Sequence, residues 1–126
     1  MNRSTPMLED DTITVVVSRS GGGPAPTEIV FFKISPGNDP LLLRVVKSDL
    51  GATSQVKELK WILDQLVDCG YPIDNVVIEN NIGKFAADAT EFLRTNMRNA
   101  VRFSEMKIHK EPQSPLERAF MSAVGE

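Results

Sequence analysis

Asn80-Asn81-Ile82-Gly83-Lys84-Phe85 closes an apolar run and sets two carboxamides where a strand gives way to a helix. Thirty-six residues separate Asn80 from Glu117-Arg118. Phosphoryl transfer by two metal ions needs several carboxylates converging on Mg²⁺ or Mn²⁺, hard cations that favour anionic oxygen. An asparagine brings no charge to that task. Glu117 has a second reading, because Ser114-x-x-Glu117 with Pro115 in the first helical position is a capping box that satisfies backbone donors at a helix start. His109 is the only histidine and Cys69 the only cysteine, which leaves no His/Cys zinc site, and no nucleophile and orienting acid group with His109 to support a hydrolase triad.

The stretch from Leu59 to Phe120 resembles the second half of a retroviral-integrase or transposase catalytic core, in which Asp-Asn-Gly-x-x-Phe follows the strand and a third acid comes at a comparable distance. Asn80 stands at the aspartate position of that pattern, and Glu117 followed by Arg118 at the third. The beginning of the chain is similar to ribonuclease H, whose first strand runs into an Asp-Gly-Ser turn; here Ser18-Arg19-Ser20-Gly21-Gly22-Gly23 carries no acid. Glu58, in Thr53-x-x-x-x-Glu58-Leu59, matches the ribonuclease-H glutamate that faces the metals. The resemblance implies a ribonuclease-H-like domain whose site positions are Ser18, Glu58, Asn80 and Glu117, with two of the expected acids gone.

Two functional readings follow, with a third beside them. In the first, the domain has lost catalysis, carries no cofactor and acts by binding nucleic acid, another protein or a second copy. In the second, Glu58, Glu79 and Glu117 hold Mg²⁺ or Mn²⁺ in an active nuclease or strand transferase. Alternation along a strand aims Glu79 away from the side that Asn80 faces, which argues against its replacing the lost acid. The third is an unrelated small α/β interaction or immunity-type protein. Glu58 also reads as a charged residue flanking its helix's apolar face. Gly21-Gly22-Gly23 is no phosphate cradle, since no Gly-Lys-Ser/Thr follows it.

Trp61 points away from the apolar stripe of its helix, in line with Glu58 and Gln65. A large aromatic on a polar face suggests a partner-binding surface of Trp61 and Gln65. The alternative is cover by a terminal segment or a neighbouring helix.

The elements that must position these residues follow from periodicity. Thr12–Val17, Thr27–Ile34 and Leu41–Val46 alternate and are rich in β-branched residues, so three strands open the domain, the last two joined by a turn at Ser35-Pro36-Gly37-Asn38-Asp39-Pro40. A helix over Thr53–Cys69 gathers Val56, Leu59, Ile62, Leu63, Leu66 and Val67 on one face and stops at Gly70 and Pro72. Then come a strand at Asn75–Ile78, a helix at Ile82–Asn99, a strand at Val101–Ile108 and a last helix opening at Ser114. The helical crossover makes the Asn75 strand parallel to the first. The expected fold is α/β, a mixed five-stranded sheet in order 3-2-1-4-5 flanked by helices.

The 126 residues suffice for one domain, read as an acidic tail over 1–11, with Asp10 and Asp11 at its end, followed by a single unit over 12–126. Hydrophobic content of 41% with 25% charged residues is that of a globular chain, and no run spans a bilayer. The lone cysteine and the polar beginning predict a cytoplasmic or nuclear protein. Net charge of −3 disfavours phosphate binding over the whole surface, although residues 84–118 hold seven Lys and Arg against five Asp and Glu.

Overall fold

The computed structural model describes residues 10–19, 27–48, 52–79, 83–97 and 101–124. Asn80, the glycine loop of residues 20–26 and residues 1–9 of the acidic segment lie outside these.

Among the described residues, eight elements follow in the expected order: β1 (Thr12–Arg19), β2 (Thr27–Ile34), β3 (Leu41–Ser48), α1 (Ala52–Asp68), β4 (Ile73–Glu79), α2 (Gly83–Asn96), β5 (Arg102–Met106) and α3 (Pro115–Val124). The strands form one sheet in the order β3-β2-β1-β4-β5. β1 pairs antiparallel with β2 and parallel with β4, β2 pairs antiparallel with β3, and β4 pairs parallel with β5. This is the ribonuclease-H-like arrangement, a meander extended by two helical crossovers to parallel strands.

Strand alternation divides the sheet into two apolar faces. Ile13, Val15, Val17, Ile29, Phe31, Val76 and Ile78 meet Leu59 and Leu63 of α1 and Ala86, Ala89 and Leu93 of α2 on the first. Val16, Val30, Phe32 and Val77 meet Phe120 of α3 on the second. The central strands β1 and β4 are apolar on both sides because both sides are covered. β5 is an edge strand, which explains why Phe103 and Met106 are only half-buried.

Two glycines with positive φ mark the turns. Gly37 (φ 77°) sits between β2 and β3, where Asn38 N–H donates to the Ser35 carbonyl at 3.1 Å. Gly70 (φ 87°) ends α1: its N–H reaches the Val67 carbonyl at 2.9 Å and the Tyr71 N–H reaches Leu66 at 3.0 Å, the paired bonds of a Schellman cap. The chain then enters β4 beside β1, where Ile13 N–H donates to the Pro72 carbonyl at 2.9 Å.

Asp11, at the end of the segment read as an acidic tail, is packed against the sheet. It is 3% exposed at the foot of β1, with Lys33 Nζ 3.8 Å from its carboxylate. β2 runs antiparallel to β1 with Ile34 opposite Thr12, which returns a lysine to the level of the aspartate and lets a charge be buried with a partner.

Candidate functional site

The ends of the central strands bring together residues that sequence reasoning had kept apart. Ser18 continues the face of Val16 on β1, and Glu79 continues the face of Val77 on β4. Both are buried, and Ser18 Oγ donates to Glu79 Oε1 at 3.0 Å. The motif places its acid one residue later, at Asn80, and strand alternation aims Glu79 to the opposite side; Glu79 is nevertheless the β4 residue that meets Ser18. Glu28 lies opposite Ser18 in the antiparallel register, on the face of Val30 and Phe32. Its Oε2 is buried and has no hydrogen-bond partner among the described residues. Three adjacent strands therefore present Glu28, Ser18 and Glu79 side by side. Glu28 was missed, although its even spacing from Val30 and Phe32 was the signal that placed it on an inner face.

Glu117 performs half of its expected capping box. Its N–H donates to Ser114 Oγ at 3.1 Å, and Arg118 N–H makes the first helical bond to the Ser114 carbonyl at 3.0 Å. The carboxylate turns elsewhere, to His109: it accepts the His109 backbone N–H at 2.8 Å, and Nδ1 of the ring lies 3.1 and 3.2 Å from its two oxygens. A carboxylate offers only acceptors, so Nδ1 carries the proton. The side chain of Glu117 is 3% exposed. Burial works to raise its pKa, but the backbone and ring hydrogen bonds from His109, the backbone of Gln113 and the attraction of the His109 ring outweigh it and hold the carboxyl below its ordinary value. This pairing depends on the path of the chain between β5 and α3, for which no periodicity gives a signal.

Glu58 lies across the sheet from Ser18 and Glu79. It belongs to α1, whose Leu59 and Leu63 cover the first face, whereas Ser18 and Glu79 continue the second. Among the described residues, no three His, Cys, Asp or Glu side chains are placed to share a metal ion.

Trp61 and Gln65 stand together. Trp61 is 64% exposed, and both residues line an apolar hollow of about 430 Å³ whose floor includes Ile13 and Phe31 and whose far wall is Leu43 and Val46 of β3. The hollow exists because α1 lies over the middle of the sheet and leaves the β2–β3 side of the first face partly bare. Arg44, also in its lining, makes no ion pair among the described residues. On this side of the molecule the sequence-based expectation of a tryptophan away from the core meets a shaped surface.

Strand order and crossover pattern define the class, a domain of the ribonuclease-H-like fold. No protein-family model matches the chain, and no curated protein matches it. Among solved structures it is similar to the type II variant of the Ppx/GppA phosphatase of Aquifex aeolicus, with a TM-score of 0.46 and 14% identity over 81% of this chain and 37% of that one. Another structure of the Aquifex aeolicus enzyme gives a TM-score of 0.44 and 13% identity over 77% of this chain and 36% of that chain. RNase H1 from the halophilic archaeon Halobacterium salinarum gives 0.37 and 13% over 77% and 86%. The chain thus spans little more than a third of the Ppx/GppA chains. Neither an integrase nor a transposase is among these neighbours. Among the described residues, no helix is long and apolar enough to cross a membrane.

Proposed function

We propose that this is a catalytically degenerate ribonuclease-H-like domain that works by binding a protein partner, with the Trp61–Gln65 hollow as its contact surface. The observation that carries the reading is the exposed indole of Trp61 on the rim of an apolar hollow. A tryptophan in that position gains most from being covered, because its large apolar area leaves water while the ring loses little conformational freedom. The acids support the same reading: Glu79 accepts from Ser18, Glu117 is held by His109, and Glu58 sits on the helix over the opposite face. A protein is favoured over nucleic acid because the hollow is apolar and the chain carries a net charge of −3.

Site-specific photo-crosslinking in cells tests this. A photoreactive phenylalanine analogue at Gln65 is expected to form a discrete adduct with another protein, and the same group at Thr95, exposed on α2, is not. Equal labelling from both positions, or an adduct from Gln65 that is unchanged in the Trp61→Ala background, would overturn the reading.

A further inference from the structure

The hollow beside Trp61 is one of two that flank the same strand. β3 is an edge of the sheet, hydrogen-bonded to β2 on one side and to no strand on the other among the described residues. On the second face, Leu42 and Phe32 together with Ala119 and Ala123 of α3 border a crease of about 230 Å³. Leu41 and Leu42 are exposed at 47% and 44%. An unpaired strand edge with apolar recesses on both faces has the form of a site for strand addition, in which backbone hydrogen bonds hold an extended segment and its alternate side chains enter opposite recesses.

The charges on β3 select the occupant. A register shift at Phe31/Phe32 leaves Leu43 as an extra residue, and from Arg44 onward the pairing is regular. Arg44 stands opposite Phe31 and so belongs to the Trp61 face, whereas Lys47 stands opposite Glu28 and belongs to the α3 face. Both are exposed, neither forms an ion pair among the described residues, and Leu41–Ser48 contains no acid. Cations on an edge strand discourage pairing with a similar edge. A second copy of β3 would bring the same Arg44 and Lys47 into one ladder with no acid to meet them, and like charges across a strand pair are unfavourable.

We infer that β3 accepts, as a sixth strand, an extended segment of another protein that is apolar on both faces and carries two acidic residues three positions apart, one meeting Arg44 and the other Lys47. The inference rests on the proposed partner-binding role of the hollow and specifies the chemistry of what enters it.

The test uses the whole ¹⁵N-labelled chain and a blocked eight-residue peptide of valine and threonine with glutamates three positions apart, against the same peptide with lysines in their place. The acidic peptide is expected to give saturable shifts in the amides of Arg44 to Lys47 and in the Trp61 indole N–H, and the basic peptide none. In the Arg44→Glu/Lys47→Glu variant the preference should invert, and this control does not depend on loss of binding alone. Shifts at the Trp61 indole without shifts along β3 would overturn strand addition and leave the hollow as a binding surface. An equal response to both peptides, or none to either, would overturn the acidic-strand assignment, while crosslinking at Gln65 decides the role of the hollow independently.

Discussion

Glu117 shows how one side chain can satisfy a local rule and a distant one. Its N–H completes the serine cap, and its carboxylate ties the start of α3 to the segment leaving β5 through His109. Because these bonds depress its folded-state pKa, the unfolded chain binds the proton more readily, and the contribution to stability has a definite sign. It is fully present above the ordinary glutamate value of about 4.5 and is lost as the pH falls through the lower folded value. Urea titrations of wild type and Glu117→Gln should therefore show a gap in midpoint that is widest above pH 5 or so and narrows on acidification. A gap that widens toward acid would mean that the carboxyl is not held ionised by His109. Trp61 gives the contrasting case. Trp61→Ala should alter stability by no more than about 0.5 kcal/mol, as at exposed positions generally, whereas Leu63→Ala, two residues away on the buried face, should cost about 2–5 kcal/mol. A loss of roughly 3 kcal/mol or more for Trp61→Ala would identify it as a core residue. The helical angle between these two side chains was legible in the sequence, because it depends only on spacing. The contacts of Glu79 and His109 were not, because they depend on where a strand stops and how a loop returns.

At the level of elements, the sequence carried the most where periodicity and a stop signal agreed. The helix expected over Thr53–Cys69 is observed at Ala52–Asp68, since its apolar stripe and Gly70 act together. β4 is longer than the apolar run Asn75–Ile78 because pairing with β1 carries Ile73, and pairing with β5 carries Glu79, into the ladder. β5 is shorter than expected, Arg102–Met106 lying within Val101–Ile108, and α2 (Gly83–Asn96) has ended by Met97, before the expected Asn99. Edge strands and helix ends have fewer partners to extend them. Gly70 is the most testable of these signals. A methyl group added there meets nothing within 4 Å, so Gly70→Ala isolates the cost of a positive φ without a steric clash. The expected loss is about 1–2 kcal/mol, read as a lower urea midpoint with an unchanged slope. No loss would mean that α1 ends in another way in solution.

At the scale of the whole molecule, the sheet decides which carboxylates can meet. The strand order was legible because three alternating segments followed by helix, strand, helix and strand leave few right-handed arrangements. Which face each acid occupies was not, because parity at a strand's end shifts with a single residue. The structure puts α1 and Glu58 over one face and Ser18, Glu28 and Glu79 on the other, while Glu117 is bound to His109 at the head of α3. Two-metal phosphoryl transfer needs anionic oxygens that converge on both ions. Ser18 supplies a neutral hydroxyl at the central position and donates it to Glu79. Purified protein in Mg²⁺ or Mn²⁺ should therefore leave an RNA–DNA hybrid intact and join no DNA ends, as followed by gel electrophoresis of labelled substrate. Two variants give that expectation a sharp edge. Glu79→Gln and Glu117→Gln should match the wild type in this assay, since neither carboxylate would be serving a metal. Cleavage that depends on the metal and disappears in either variant would show that the acids come together around bound cations, and it would restore the active nuclease or strand transferase as the better reading.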